Sequence, residues 1–301
     1  MTILAISENA TFRADDPQRE TPIVLRVHRP GYHAIAEIRA EHAWINALRA
    51  AEIVHSPALL EMTRSGTVAE FEMDGETRHL AAFAYMRGSP PSADDDLVLH
   101  IRKLGAIAAR LHGHALSWVQ PKGFVRKSWT FETTIGSTPH WGDWRAGLGL
   151  TAEGAALLER CCQGLQTQLA GYGMAADRLG LIDADLRLAN LLVAEDEQIG
   201  VIDFDDCGFG WFMYDFAAAV SFHEHEPFIS DLSAAWLEGY RSIRVLSAAD
   251  EAMLPSFVML RRMLLTAWLA SHSETATARE LGAGYTEGTV LLADRYLTTE
   301  A

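Results

Sequence analysis

The stretch GLIDADLRLANLLVAEDEQIGVIDFDD, residues 180–206, constrains the fold more than any other part of the chain. It crowds Asp183, Asp185, Asn190, Asp203, Asp205 and Asp206 beside Leu191, Leu192, Val193, Val201, Ile202 and Phe204. A solvated acidic face does not need those apolar neighbours, and a buried one must compensate its charges. Residues 190–194 and 198–204 read as two short strands joined by a polar hairpin turn, EDEQ. With the turn centred between Asp196 and Glu197, Asn190 lies opposite Asp203, and Asp185 falls in a loop at the same end. One carboxylate and one amide oxygen suit a hard cation such as Mg²⁺, which keeps waters and substrate phosphates as its remaining ligands. A second carboxylate five residues before the amide suits acceptance of a proton from an attacking hydroxyl. Together they suit phosphoryl transfer, a chemistry of positioning and charge neutralisation. The plainer reading is a hairpin with a solvated acidic end. The spacing D-x4-N before the hairpin and I-D-F after it argues against that.

Upstream, the pattern is strand-like. ATFRA (10–14) and PIVLRV (22–27) flank a turn, and Ile23, Leu25 and Val27 alternate with Val24 and Arg26. From residue 32 to 51 the period becomes helical, with Ile35, Ile38, Ile45 and Leu48 on one face. Residues 66–86 read as two strands around Asp74-Gly75, and RGSPPSADDD (87–96) as a linker. Helices are expected at 97–116, 152–171, 230–243, 249–272 and 284–298. The balance of 25 basic against 40 acidic residues, net −15, repels phosphate backbones, so nucleic acid is not an expected partner. No secretory signal or membrane span is evident, and Cys161, Cys162 and Cys207 form neither a disulfide framework nor a paired CxxC site. A cytoplasmic protein is expected.

DADLRLANLL followed by VIDFDD resembles the catalytic and metal loops of the aminoglycoside phosphotransferase-like kinases. That superfamily includes choline kinases, a homoserine kinase class, hydroxylysine kinases and SrkA-type Ser/Thr kinases, and its usual pattern is H-x-D-x4-N, a hairpin, then I-D-[FLW]. SENATFR, VLRVHRPGY, IRAEHAWINAL, LGAIAARLHGHA and YDFAAAV follow in the family's order. The resemblance implies an α+β, two-lobed protein-kinase-like fold: a small antiparallel-sheet N-lobe (1–87) that binds nucleotide and a larger, mainly helical C-lobe (88–301) for catalysis and substrate. It implies ATP and Mg²⁺ as cofactors, Asp185 as catalytic base, and Asn190 and Asp203 as metal ligands. Arg26 stands where the family has a nucleotide-binding Lys, with Glu41 as its partner. Ser7 and Asn9 lie at the loop over the phosphates. Ala84 and Met86 lie at the hinge, where backbone groups meet adenine. Asp215 is expected to brace the catalytic loop. The implied reaction moves the γ-phosphoryl of ATP to a hydroxyl of a small molecule, and Asp205 and Asp206 point to an amine-bearing alcohol. Homoserine-, hydroxylysine- and choline-like acceptors fit. A Ser/Thr protein kinase of the SrkA type and a nucleotide-binding pseudokinase scaffold are the alternatives. Oligomeric state is left open.

The sequence departs from the family pattern at two of these positions. Asp183 replaces the family's His, and two carboxylates held close together should push one pKa up. Arg26 replaces Lys, and a guanidinium is a good phosphate ligand without being a geometric copy of an ammonium. Nine or so residues precede the first expected strand, so either a short segment over the nucleotide or a misplaced start codon is expected. HEHE (223–226) lacks the spacing of a helical zinc site and reads as a polar loop. His112 and His114 read as structural, and Cys207 as a small apolar filler. The irregular connector at 127–144, with Trp129, Trp141 and Trp144, is a candidate wall for the substrate pocket.

Overall fold

The computed structural model describes residues 1–6, 9–62, 66–92 and 96–299. In chain order its elements are β1 (Thr2–Ile6), β2 (Asn9–Ala14), β3 (Ile23–His28), α1 (Ile35–Ala50), β4 (Val68–Met73), β5 (Glu76–Ala84) and α2 (Leu97–Ser117). They continue with β6 (Ser128–Trp129), α3 (Phe131–Thr134), α4 (Ala152–Tyr172), β7 (Leu179–Ile182), β8 (Leu191–Val193), β9 (Ile199–Val201) and β10 (Gly208–Trp211). Last come α5 (Tyr214–Ala219), α6 (Ile229–Arg241), α7 (Ala248–Ala252), α8 (Leu254–Ser271) and α9 (Ala276–Thr299). This is the expected α+β composition: an antiparallel-sheet N-terminal part and a helical C-terminal part.

The chain forms two compact units. The first comprises Met1–Asp95, Ser117–Lys127 and Leu188–Cys207. Its sheet has the order β1-β2-β3-β5-β4, every neighbouring pair antiparallel. Asp74 and Gly75 both take positive φ (54° and 79°), the geometry of a type I′ hairpin turn, so β4 and β5 pair in register from Val68–Ala81 to Met73–Glu76. Helix α1 starts where the Glu37 carboxylate accepts the Ala34 N–H (2.8 Å). It buries Ile38, Trp44, Ile45 and Leu48, and Phe204 meets Trp44 edge-on at 5.7 Å. A single cut at 87/88 was expected. Instead the β8–β9 hairpin belongs to the first unit, because Gly200 bridges to His55 and Val193 to Ser89. Gly88, at φ 127°, permits this approach: a Cβ there would lie 2.9 Å from the Val193 carbonyl oxygen.

The second unit comprises Asp96–Leu116, Ser128–Arg187 and Gly208–Ala301. A small sheet, β6-β10-β7, sits with a helical core built on Trp129, Phe212, Tyr214, Phe216, Trp236, Tyr240 and Phe257. The tryptophans of the 127–144 connector serve this packing: Trp129, Trp141 and Trp144 are buried, and Trp129 touches Trp141 and Tyr214. Gly105 of α2 and Gly239 of α6 let the two backbones touch, with a Cβ at either running into the carbonyl of Trp236 or Arg102.

Several elements depart from the sequence expectations. Strand β1 was not anticipated; all five of its residues are exposed, so it has no buried face to pattern. The expected helix at 249–272 is two, α7 and α8. Pro255 is the second residue of α8, because proline fits the first turn, where its missing N–H is not needed. The last helix begins at Ala276 and is interrupted at Gly282 (φ 51°). The β8–β9 pairing runs Leu191–Val201, Leu192–Gly200, Val193–Ile199, one residue off the expected register. Glu197 adopts φ 66° and the Ala194 N–H bonds the Gln198 carbonyl (3.0 Å). The loop is therefore a three-residue hairpin loop with a left-handed third position, centred on Asp196. Asn190 thus faces Ile202, whose N–H it binds at 2.9 Å, and not Asp203. One helical stretch among the described residues, Ala248–Ser271, has the length and hydropathy of a membrane span, but 72% of that window is buried within the fold.

Candidate active site

In the first unit, Arg26 on β3 and Glu41 on α1 form a buried ion pair at 2.5 Å, with the Glu41 side chain fully enclosed. The Arg26 guanidinium also lies 3.4 Å from Asp203 Oδ1 and 3.9 Å from Asp205 Oδ1. Burial opposes its charge, but Glu41, Asp205 and Asp203 outweigh that and raise its pKa. Asp203 takes φ 63°, a left-handed turn two residues beyond the end of β9, and its side chain is 49% exposed. Asn190 is buried.

Asn190 and Asp203 are both oxygen donors. Among the described residues no three His, Cys, Asp or Glu side chains gather to hold a metal. This donor set fits a hard cation that draws its other ligands from water and phosphate, and not a closed protein cage.

Asp205 is a hub below this surface. It accepts from the Asn9 amide (2.8 Å) and lies 3.4 Å from His33 and 3.7 Å from His28. Burial alone would raise its pKa, but His33, Arg26 and His28 hold it well below the carboxylate range. Arg126 locks the same loop, donating to the carbonyls of Asp205, Cys207 (2.5 Å) and Glu37 (2.9 Å). Asn9 is therefore engaged in structure, also accepting from the Arg29 N–H (3.3 Å). Ser7 lies outside the described residues.

Behind the strands, a cavity of about 270 Å³ is lined by Ala58, Ala84, Tyr85, Met86, Leu192 and Gly200, among others. It places both expected hinge residues, Ala84 and Met86, on the wall of one pocket. The Ala84 N–H is committed to the Ala58 carbonyl (2.8 Å).

In the second unit, Asp185 follows β7 in a loop whose backbone is pinned by Asp215. Asp215 Oδ1 accepts the Ala184 N–H (2.8 Å) and Oδ2 the Asp183 N–H (3.3 Å). Asp215 is held in turn by His112 (2.9 Å), which also bonds the Tyr240 hydroxyl (3.0 Å). Ala184 takes φ 67°, a left-handed strain that this bracing maintains. Asp183 is buried and its Oδ1 accepts the Asp185 N–H (3.1 Å).

The Asp185 carboxylate meets Arg261 at 2.5 Å through Oδ1 and Arg187 at 3.0 Å through Oδ2. Burial would raise its pKa, yet Arg187 and Arg261 carry it below the usual value. The upward shift expected for a crowded Asp183–Asp185 pair is not what Asp185 shows, because two guanidinium groups face it. Within the HEHE segment, Glu224 is buried against Arg262 (2.8 Å) and His225 lies 3.6 Å from Glu226. All three cysteines are buried thiols.

Arg261 and Arg126 are site residues that the sequence reading missed. Arg261 had a signal, since Arg261-Arg262 interrupts the otherwise apolar run MLRRMLL. Arg126 had none, because it acts through backbone carbonyls from an irregular segment.

The fold and the relatives it matches define a small-molecule kinase. The family model "Phosphotransferase enzyme family" matches residues 2–246, and the chain belongs to that family. It is 44% identical to the solved microcompartment-associated aminopropanol kinase, with a TM-score of 0.92, covering 99% of this chain and 92% of that one. It is 30% identical over 229 residues to a homoserine kinase of Gluconobacter oxydans, covering 72% of this chain and 67% of that protein. The amicoumacin kinase solved with AMP-PNP, Ca²⁺ and Ami shares the fold at 22% identity and a TM-score of 0.78, covering 98% and 88% of the two chains.

Proposed function

We propose that this kinase transfers the γ-phosphoryl group of ATP to the hydroxyl of a small amino alcohol of the aminopropanol type, with Mg²⁺ as the assisting cation. The observation that carries the acceptor is the 44% identity, over 99% of the chain, to a structure described as an aminopropanol kinase. The residues suit the chemistry. The cavity at Ala84 and Met86 has the apolar walls and backbone polar groups that an adenine ring needs. Glu41 orients Arg26 toward the phosphates. Asn190 and Asp203 would hold the cation, which supplies charge neutralisation on the phosphate oxygens.

Asp185 takes the proton of the acceptor hydroxyl. The hydroxyl oxygen then bonds to the γ-phosphorus, and the bond to the β–γ bridging oxygen breaks with its electron pair leaving on ADP. A low carboxylate pKa keeps Asp185 ionised at neutral pH, so its first task is to orient the hydroxyl. The buried thiols accord with a cytoplasmic setting.

A hydroxy amino acid acceptor is the second reading, favoured by the identity to a homoserine kinase. An ADP-release assay with ATP and Mg²⁺ separates them. The panel is 1-amino-2-propanol, ethanolamine, choline, homoserine, hydroxylysine and a generic protein substrate. Turnover led by 1-amino-2-propanol supports the reading. Turnover led by homoserine moves it to the second, by the protein substrate to a protein kinase, and nucleotide binding without turnover to a scaffold.

A further inference from the structure

Helix α8 carries two adjacent arginines in a segment apolar enough for a membrane span, and both are buried. Two guanidinium ions in a protein core persist only where every donor is used. Arg261 spends its donors on the catalytic segment: Nη2 to Asp185 Oδ1 (2.5 Å), Nη1 to the Ala184 carbonyl (2.6 Å) and the Tyr214 hydroxyl (3.3 Å), and Nε to Ser221 Oγ (3.1 Å). Arg262 points elsewhere, to Glu224 (2.8 Å), Thr289 (2.9 Å) and the Tyr285 carbonyl (3.1 Å). Arg261 lies beyond residue 246, where the family match ends, so the matched segment does not supply this contact.

We propose that Arg261 is the positioning residue for the base, holding Asp185 through Oδ1 so that Oδ2 is the oxygen presented to the acceptor hydroxyl. This rests on Asp185 acting as the base. The geometry separates the two carboxylate oxygens. Arg261 is 2% exposed at its side chain and held by four partners, so it cannot leave Oδ1 without breaking the packing. Oδ2 faces Arg187, whose side chain is 35% exposed and exchanges partners at little cost. Fixing one oxygen also fixes the carboxylate plane, and a small misplacement at a reacting centre costs about 10²-fold in rate.

The charged and titratable groups around Asp185 include Arg187 and Arg261, with Asp183 bonded to its N–H and Tyr214 bonded to Arg261. Removing Arg261 leaves burial and Asp183 less opposed. The acid limb of the rate profile should then move to higher pH.

Arg261→Gln, Arg261→Lys and Arg262→Gln test this, the last being a matched control of equal burial on the same helix. For Arg261→Gln the expectation is a kcat lower by about 100-fold, ATP KM unchanged within about twofold, and the acid limb raised by about 1–2 pH units. Arg261→Lys should restore part of the rate and leave the limb raised by less than in Arg261→Gln. Arg262→Gln should lower thermal stability and leave the limb in place. A ¹³C carboxyl titration of Asp185 reads the same shift without turnover, so it decides the matter even if no acceptor supports catalysis. Absence of turnover would count against the kinase reading alone. Equal shifts in the Arg261→Gln and Arg262→Gln proteins, or an unmoved Asp185 titration in Arg261→Gln, would overturn the proposal. If Arg261→Gln does not fold, the same titration in Arg261→Lys decides: because lysine cannot reproduce the fork, it should show a smaller upward shift, and no shift would overturn it.

Discussion

Replacing Glu41 by alanine leaves Arg26 charged in a site where its side chain is only 7% exposed. Breaking a buried ion pair from one side costs about 3–5 kcal/mol. Here Asp203 at 3.4 Å and Asp205 at 3.9 Å remain beside the guanidinium, so the lower end, about 3 kcal/mol, is expected. At about 2–4 °C per kcal/mol, the midpoint of thermal unfolding should fall by at least about 6 °C. The freed guanidinium then turns toward Asp203, which is a cation ligand in the proposed reaction, so ATP affinity should fall more than tenfold. A double replacement, Arg26→Met with Glu41→Leu, separates the two consequences. It removes both charges and should recover most of the stability while leaving nucleotide binding lost. Calorimetry with a fluorescent-nucleotide titration measures both. A loss below about 1 kcal/mol, together with unchanged ATP affinity in Glu41→Ala, would refute the argument that this pair is buried and functional.

Gly88→Ala forces a Cβ into the Val193 carbonyl at φ 127°; it should cost about 2–3 kcal/mol and weaken ATP binding at the adjoining cavity, as denaturant titration and ATP binding would show. Asp215→Asn removes the charge that holds His112 and two loop N–H groups; kcat should fall at least tenfold with ATP KM unchanged, and an equal rise in KM would count against a bracing role. Burial lowers the pKa of His28 to about 3 and of His42 to about 4, so the unfolded chain binds more protons than the folded one between those values and about 6.5. Stability should therefore be full above about pH 6.5 and decline as pH falls, by up to about 1.4 kcal/mol per unit for each histidine; chemical denaturation at pH 7 and 5.5 would show it. His33, whose pKa is raised, acts in the opposite sense and loses its contribution as pH rises through its folded value.

The parts of this molecule that sequence reveals are those where chemistry and spacing coincide. Asp185, Asn190 and Asp203 lie within one stretch, and Arg26 is the polar residue in an apolar strand, so a local reading singles out all four as candidates. The β8–β9 register was missed by one residue because turn length depends on a left-handed Glu197, a conformation for which a glutamate gives no signal. Asp203 faces the site through its own positive φ and not through direct pairing with Asn190. The Asp205 hub, with His28, His33 and Asn9, joins residues almost two hundred positions apart, and only folding brings them together. Arg261 and Arg126 act on loops from distant segments, and no local pattern reports such contacts.

Phosphorus NMR of the wild-type and Asp185→Asn proteins with ATP, Mg²⁺ and 1-amino-2-propanol tests the central claim most directly. The expected result is a new phosphomonoester resonance growing in step with ADP in the wild type, and slower by at least about 10²-fold in the variant at unchanged ATP affinity. A wild-type sample that binds ATP but forms no phosphoester, or a variant that forms it at the wild-type rate, would contradict the account.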